Sequence, residues 1–285
     1  MIIESQLFWQ YFIPTFILLT IYDWAVFIYE DYYITFKDLG LGGSGTSFRG
    51  WALARLREIV ANVDVMRPPR VPQTQSPYRG RLYRLPQRIG TRPSILGVTP
   101  QRQVDFPAPP NTQAALEEIM AEFVTSESGH TIEIRQSFLE GGLQALRRRL
   151  TIPVNEQGGP LDPRAAFNTP DTFGGEIAHI HRDGTSHVVL HPECCRRVLE
   201  SGWGQRHPFT TTSFIWKFYF NWYLGIRLPV PEGLMILYAP RDQSELQVIR
   251  QIIQAGVWYA TNGELHSIDA NTYPFPPGPN IAAVA

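Results

Sequence analysis

Residues 7–29 form a long apolar stretch, LFWQYFIPTFILLTIYDWAVFIY, which constrains the fold more than any other feature of the sequence. These 23 residues contain no Lys or Arg. A helix of this length, at about 1.5 Å per residue, crosses the hydrocarbon core of a bilayer. Trp9 and Tyr11 near one end and Tyr29 near the other suit the two membrane interfaces. The stretch therefore predicts a transmembrane anchor.

Gln10, Pro14 and Asp23 weaken the same stretch as a membrane span. An acidic side chain deep in a bilayer costs about 3 kcal/mol. A cleaved signal peptide is one alternative, but the first residues carry Glu4 and no basic charge, and no small-residue cleavage site follows. A buried or interfacial helix is another. We expect a retained anchor.

Arginine supplies nearly all of the basic charge, with 23 Arg against 2 Lys, and eleven of the Arg lie between Arg49 and Arg102. Guanidinium groups suit phosphates, so this region is interpreted either as a contact with membrane lipid or as a solvated face. Arginines on the C-terminal side of the span favour a cytosolic location for that side. We therefore expect a single-pass protein of the endoplasmic reticulum membrane, with the domain that follows the span facing the cytosol.

The remainder of the chain has the composition of a globular domain, since hydrophobic residues make up 44% of the sequence and charged residues 18%. The net charge of −1 gives no support for a nucleic-acid partner. We divide the chain into an anchor and hinge (1–48), an amphipathic helix with a Pro/Arg-rich connector (49–110), a catalytic domain (111–270) and a tail (271–285).

Strand and helix patterns alternate after residue 110. Asp183-Gly184 is a hairpin-turn signal, and Asp242 with Glu245 forms a capping box. We predict helices and strands at 111–124, 131–139, 175–182, 185–190, 192–202, 234–239 and 242–260. The predicted class is α+β, a single domain with a small antiparallel sheet and flanking helices, preceded by an N-terminal transmembrane helix.

Five of the seven histidines fall within residues 176–208. Side chains two apart on a strand share a face, so His179 and His181 point the same way. His187 lies on the partner strand of the predicted hairpin. Pairing of the two strands would bring three imidazoles together, with Glu176 nearby on either face.

Three interpretations of this cluster remain open. A His-x-His pair with a third His suits Zn(II), Fe(II) or Cu(II). Imidazoles that titrate near neutral pH also suit metal-free acid–base catalysis. The third interpretation is structural, with each ring satisfied by core hydrogen bonds or exposed on a face.

The segment GWGQRHP, residues 202–208, adds candidates to the cluster. Its two glycines allow a sharp turn that presents Trp203. Arg206 offers a planar fork for an oxyanion or enolate, next to His207. A structural turn with a packed Trp is the alternative explanation for the same residues.

These motifs carry a resemblance to the fungal luciferase family. EIAHIH at 176–181, GWGQRHP and His187 are the most specific parts of it. The resemblance extends from the anchor to about residue 263 through DYYITFKDLG (31–40), FRG (48–50), GTRPS (90–94), YAPR (238–241), Glu245 and YATN (259–262).

The resemblance implies a membrane-anchored, oxygenase-type enzyme. Fungal luciferases oxidise 3-hydroxyhispidin, a styryl-pyrone, with molecular oxygen, and the family implies no bound metal or organic cofactor. On this basis the expected base and proton shuttle are His179, His181, His187 and His207, with Arg206 holding the enolate or peroxide anion. The expected substrate-binding residues are Glu176, Trp203, Tyr238 and Arg241.

Two departures from the luminous members lie beside this site. The hairpin between His181 and His187 is shorter, and residues 209–230 form a long aromatic insertion. The insertion suits a lid, a pocket wall or a second membrane contact, or else an ordinary buried helix or hairpin. We therefore expect a non-luminous relative with a different substrate.

The resulting hypothesis is an enzyme of fungal secondary metabolism that oxygenates a small aromatic or pyrone/polyketide-like substrate without a bound cofactor. Its alternatives are a non-oxidative cyclase or isomerase that uses the same histidines, a metal-dependent oxygenase, and a non-catalytic membrane-tethered binding protein. The expected partners are a small-molecule substrate and membrane lipid. The oligomeric state is not predicted.

Overall fold

The computed structural model describes residues 2–40, 46–59, 61, 64–69, 82, 85–125, 131–137, 140, 142–149, 175–210, 230–231 and 233–261. Most of the aromatic insertion predicted to flank the site, 211–229, lies outside the described residues, as does the predicted tail. The described part comprises an N-terminal helical region followed by an α+β unit, which confirms the predicted fold class.

The N-terminal region begins with helix α1, Ile2–Ile28, which continues as a π-helical extension, Tyr29–Phe36. Among the described residues, this is the one helix long and apolar enough to cross a membrane, by length and composition. Its large apolar side chains are exposed, for example Phe16 at 61% and Leu18 at 66%. The helix continues through Pro14.

Helix α2, Phe48–Glu58, packs against the π-helical extension through a small apolar cluster. Ser47 caps α2 by accepting a hydrogen bond from the Gly50 N–H at 3.1 Å. The side chains packed in this cluster are Tyr32, Phe36, Trp51 and Ala54. The spacing of Trp51, Leu53, Leu56, Ile59 and Val60 predicts one apolar face for this helix. In the structure Leu53, Leu56 and Ile59 are exposed, so the packed face is narrower.

A polar contact fixes the same junction. Trp51 donates its indole N–H to Asp31 at 2.6 Å, and Arg55 donates to the other oxygen of Asp31 at 2.6 Å. Arg55 also pairs with Glu58 on its own helix, at 2.6 Å. The end of the apolar helix is thereby tied to α2 by one carboxylate with two donors.

The α+β unit is built on a six-stranded, wholly antiparallel sheet and a separate two-stranded ribbon. The ribbon pairs β1, Ile95–Leu96, with β2, Arg102–Gln103. The sheet order is β3-β4-β5-β6-β8-β7. Its strands are β3 Ile132–Gln136, β4 Gln144–Arg148, β5 Glu176–Ile180, β6 Ser186–Val189, β7 Gly204–Arg206 and β8 Leu234–Leu237.

Three helices accompany this sheet: α3, Thr112–Thr125; α4, Pro192–Glu200; and α5, Gln243–Ala260. The hydrophobic core joins their apolar sides to one face of the sheet. Strand β4 was not predicted, because its residues Arg147 and Arg148 break the apolar alternation. The edge strand β7 was assigned to a turn for a similar reason, since three residues carry no periodicity.

The strand register divides the sheet into two faces. Ala178 of β5, Val188 of β6 and Met235 of β8 lie side by side, and all three belong to the hydrophobic core. The next positions along the three strands are His179, His187 and Ile236, which therefore point to the opposite face. The core thus fixes the register that brings the histidines together.

Candidate active site

Three histidines meet on the face of the sheet opposite the core. His179 and His187 are direct cross-strand partners on β5 and β6. The Nε2 atom of His179 lies 3.1 Å from Nε2 of His181 and 3.1 Å from Nδ1 of His187. All three rings are buried. The predicted convergence of three imidazoles is therefore present in the structure.

The outer nitrogen of each ring contacts an acceptor. His179 Nδ1 bonds to the carboxylate of Glu176, which also accepts from Ser137 Oγ at 2.9 Å. Glu176 therefore lies on the histidine side and contacts His179 directly. Since it is fully buried beneath that ring, its contacts are those of a residue that orients His179 rather than those of a substrate ligand.

The other two rings are held in the same way. His181 Nδ1 lies 2.7 Å from Thr185 Oγ1, and the Thr185 hydroxyl donates to Asp183 at 2.7 Å. His187 Nε2 lies 2.9 Å from the side-chain oxygen of Gln101. Each outer nitrogen therefore carries the ring proton, and each inner nitrogen presents a lone pair to the centre of the cluster.

A fourth group, Glu140, approaches the cluster from the connection between β3 and β4. Its Oε1 lies 3.4 Å from His181 Nε2. Arg102 from β2 holds this carboxylate with two hydrogen bonds, of 3.0 and 2.7 Å. Ser137 Oγ accepts from the Glu140 backbone N–H at 3.1 Å and donates to the Glu176 carboxylate at 2.9 Å, so it links the two acidic residues of the site.

Burial keeps the imidazoles of His181, His187 and His207 neutral. It is the main cause that lowers the pKa of His181 and His187 well below the ordinary value, and the positive charge of Arg102 acts in the same direction. Burial likewise lowers the pKa of His207 to about 3, with a further contribution from His179 and against a backbone hydrogen bond to Val98. Neutral rings are available as lone-pair donors at physiological pH.

His207 lies beside the cluster and has different contacts. Its ring packs edge-on against His187 with 5.3 Å between centroids. Its Nδ1 accepts from the Phe209 N–H at 3.1 Å, and the ring also bonds to the backbone of Val98. It therefore forms a wall of the site with its polar atoms directed to the main chain.

Arg206 is placed differently from the expected enolate contact. It pairs with Met235 across β7 and β8, so the register directs it to the side of Met235 and Val188 rather than that of His187. Its guanidinium donates to the backbone oxygens of Arg67 at 3.1 Å and Thr210 at 2.7 Å. The arginine that contacts the cluster is Arg102.

Trp203, Tyr238 and Arg241 form a second group, centred on Arg88. The Trp203 indole donates to the Pro86 oxygen at 2.6 Å, and the Arg88 guanidinium lies over both aromatic rings at 5.5–5.7 Å. Tyr238 donates to Gln205 at 3.3 Å. Arg241 pairs with Glu245 at the start of α5. Their predicted role in substrate binding stays a prediction.

Two cavities of about 670 and 710 Å³ lie near the site among the described residues, and neither is lined by a cluster histidine. The larger reaches Arg102 and Asp183, which contact Glu140 and Thr185 of the site. The same cavity is also lined by residues 34–35, at the end of the π-helical extension, and by residues 38–40, just beyond it. A volume of this size suits a small organic molecule.

Sequence reasoning missed Glu140, Arg102, Gln101, Ser137 and Thr185. Glu140 lies 36 positions before Glu176 in the sequence, and Arg102 belongs to the segment assigned to a connector. No short motif links such positions to the histidines. The Asp183-Gly184 turn was the only sequence signal near any of these residues, because Thr185 follows that turn directly.

The fold and the site define a class: an α+β protein whose antiparallel sheet carries a buried polyhistidine site on one face. Residues 174–256, which contain strands β5 to β8 and most of α5, match the Luciferase domain family. Of the four residues converging in the site, Glu140 alone lies outside this matched range.

Curated luciferases are similar to the chain over a longer range. It is 29% identical to a luciferase of Neonothopanus nambi over 249 residues, covering 84% of both chains. It is 31% identical to luciferases of Armillaria ostoyae and Armillaria mellea over 185 residues, covering 62% of each chain. No solved structure matched. The likeness to the luciferase family that the motifs predicted is confirmed by these matches.

Proposed function

We propose that this chain is a membrane-anchored, oxygenase-type enzyme that acts on a small aromatic or pyrone/polyketide-like molecule at the histidine cluster. The observation that carries the proposal is the convergence of His179, His181 and His187, fully buried, inside a domain of the luciferase family. Three oriented imidazoles in one small volume are costly to build for packing alone, because each buried nitrogen requires its own partner.

The chemistry follows from the polar groups around the cluster. A hydroxypyrone or phenol that loses its hydroxyl proton becomes an electron-rich enolate. Nitrogen lone pairs and the cation of Arg102 favour the deprotonated substrate. The enolate carbon then forms a bond to molecular oxygen, which is reduced to a substrate peroxide as the carbon is oxidised. The hydroxyl proton passes to one of these nitrogens and is then returned to the distal peroxide oxygen, which completes the balance.

The membrane location is supported by the exposure of α1 and by the position of the larger cavity. A core helix of a soluble protein buries its apolar side chains, whereas those of α1 are exposed. The cavity is lined both by residues 34–35 and 38–40 and by Arg102 and Asp183. A hydrophobic substrate would therefore enter close to the membrane surface and reach the site over a short distance.

We propose further that the substrate differs from that of the luminous family members and belongs to secondary metabolism. The short hairpin from His181 to His187 supports this, since it is closed by Asp183, Gly184 and Thr185 around the rim of the site. The endoplasmic reticulum and the cytosolic orientation of the catalytic unit belong to the same proposal.

Oxygen uptake by the purified full-length protein tests the function. The protein in detergent micelles is mixed with a panel of hydroxypyrones and polyketide phenols in an oxygen-electrode cell, and products are identified by mass spectrometry. We expect consumption of one O₂ per product, with loss of at least about 100-fold in kcat/KM for His179→Ala and His187→Ala.

The matched control is Glu133→Gln on β3, where the carboxylate pairs with the exposed Arg135 at 2.7 Å. This variant should keep full activity. Product formation without oxygen uptake would instead favour a cyclase or isomerase. Full activity in both histidine variants would reject the catalytic assignment, and absence of any bound small molecule would favour a binding protein.

A further inference from the structure

Four potential ligand atoms converge at the centre of the site. They are His179 Nε2, His181 Nε2, His187 Nδ1 and a carboxylate oxygen of Glu140, and all lie within 4.8 Å of one another. The three measured neighbour distances are 3.1, 3.1 and 3.4 Å. Ligand atoms about 2.1 Å from a shared ion lie about 3.0–3.4 Å apart when they are neighbours in octahedral or tetrahedral geometry.

The hydrogen bonds on the far side of each ring decide what these atoms can contact. The outer nitrogens of the three rings face the Glu176 carboxylate, the Thr185 hydroxyl oxygen and the Gln101 side-chain oxygen. The Thr185 hydroxyl is itself occupied as a donor to Asp183, so it accepts from His181. Each of the three inner nitrogens therefore carries a lone pair, and these lone pairs face a carboxylate oxygen of Glu140.

Converging lone pairs and a carboxylate require a positive charge between them. A proton on His179 Nε2 is one candidate. That proton would lie away from the centre of the cluster, however, and no hydrogen would then lie between His181 Nε2 and Glu140 Oε1. A cation at the centre contacts all four atoms at once.

The groups behind the cluster are those expected around a metal centre. Metal-bound histidines donate their remaining N–H to carboxylates, carbonyls or similar acceptors, which fix the ring orientation. Here those partners are Glu176, Thr185 and Gln101. Arg102 holds Glu140 by two hydrogen bonds and leaves Oε1 directed at His181.

We infer that Glu140, His179, His181 and His187 bind one divalent first-row transition-metal ion. Three imidazoles and one carboxylate suit Fe(II), Zn(II), Ni(II) or Cu(II), whereas Mg(II) and Ca(II) prefer oxygen ligands. Binding itself rests on this geometry alone. For the role of the ion the inference rests on the proposed function: it would bind the deprotonated substrate oxygen in addition to its four protein ligands.

The inference departs from the expectation, drawn from the family resemblance, of a site without a bound metal. It also assigns a role to Glu140, which lies outside the part of the chain that matches the luciferase domain. The histidines would then favour the enolate through the ion rather than as free bases.

Titration of the chelator-treated, full-length protein with Co(II) tests the inference directly. Co(II) is used because its visible absorption reports the donor set. Elemental analysis after reloading with Fe(II) or Zn(II) and desalting gives the stoichiometry. We expect one ion per folded chain. A folded wild-type chain that takes up none, as judged by circular dichroism and absorbance, would overturn the inference and leave a shared proton as the occupant.

Variants locate the ion. His181→Ala and Glu140→Gln should weaken Co(II) binding by more than the 10–100-fold typical for loss of an outer-shell partner. His191→Asn is the matched control, because His191 caps α4 through Nδ1 and Asn caps equally well. It should bind Co(II) like the wild type. Unchanged binding in His181→Ala would place the ion elsewhere and reject the assignment.

Oxygen uptake with and without the ion separates this inference from the proposed function. Metal binding without oxygen uptake on any substrate would leave the metal site in place and reject the oxygenase. Equal uptake by metal-free and metal-loaded protein would retain the oxygenase and reject the ion's role in it.

Discussion

At the scale of single residues, Glu176 shows how a buried charge is used. Its side chain is fully buried and contacts His179 and Ser137. A buried carboxylate is unfavourable unless it is hydrogen-bonded, so the position is stable because both oxygens have partners. The carboxylate in turn fixes the ring of His179 with its Nε2 toward the cluster.

Glu176→Gln should therefore act through His179. The amide is similar in size, but it lacks the charge that favours the Nδ1–H form of the ring. We expect a 10–100-fold loss in kcat/KM and in Co(II) affinity. Steady-state kinetics measure kcat/KM, Co(II) titration measures the affinity, and thermal unfolding of the same preparation measures the melting temperature. A fall in melting temperature with unchanged kcat/KM and Co(II) affinity would assign Glu176 a purely structural role.

At the scale of elements, the start of α5 is held by charge. Asp242 caps the helix by accepting from the Glu245 N–H at 2.9 Å. Burial alone would raise the pKa of Glu245, but its hydrogen bonds to Arg241 and the charge of Arg88 outweigh burial and hold it below the usual range. Arg88, whose charge acts on Glu245, also contacts Trp203 and Tyr238. The interaction between Arg88 and Glu245 therefore connects α5 to the second group of predicted site residues.

The sign of the pH effect follows from the lowered pKa of Glu245. The folded chain binds the proton less tightly than the unfolded chain, so the stabilisation is present above the unfolded pKa and is lost as pH falls through the folded value. Glu245→Gln should cost about 1–3 kcal/mol at pH 7 and reduce the loss of stability between pH 7 and pH 4. Urea unfolding at both pH values measures this.

Glu200→Gln on α4 is the control for that change. Glu200 pairs with Arg197 on the surface, at 3.7 Å, and both side chains are about half exposed. We expect less than about 0.5 kcal/mol at either pH. Equal effects of the two variants would show that the buried contacts of Glu245 contribute nothing beyond a surface pair.

At the scale of the whole molecule, the arrangement joins an apolar helix to a site a short distance away. The Asp31 contacts with Trp51 and Arg55 tie the end of that helix to α2. Residues 34–35 and 38–40 then form one wall of the larger cavity, and Leu39 approaches Gly97 of the β1–β2 ribbon. The apolar helix and the cavity beside the site are thereby connected in one region.

Leu18→Arg combined with Ile21→Arg tests the anchor. Two charges near the middle of the span cost about 5–7 kcal/mol, so the double variant should fail to float with phosphatidylcholine vesicles while the wild type floats. Thr20→Val on the same turn is the control and should float normally. A wild-type chain that stays in the aqueous fraction as a monodisperse species would contradict the anchor.

Much of the α+β order was predictable because local signals agree with the final fold. The Asp183-Gly184 turn predicted the β5–β6 hairpin, and the Asp242 cap predicted α5. Strands β4 and β7 were missed because their sequences carry no alternation. They are stabilised by pairing with β3, β5 and β8 rather than by their own residues. The predicted apolar face of α2 included side chains that are exposed in the structure, because packing rather than periodicity selects which side chains are buried.

The sequence by itself determined the apolar N-terminal helix, the luciferase family and the meeting of His179, His181 and His187. The helix and the meeting of the histidines depend on spacing within one helix or hairpin, where geometry follows directly from the chain, and the family likeness rests on short motifs. Only the tertiary structure decided that Glu140 and Arg102 complete the site, and that Arg206 bonds to main-chain oxygens instead. These contacts join segments far apart in sequence, and the sheet register and core packing that bring them together are not encoded in any local pattern.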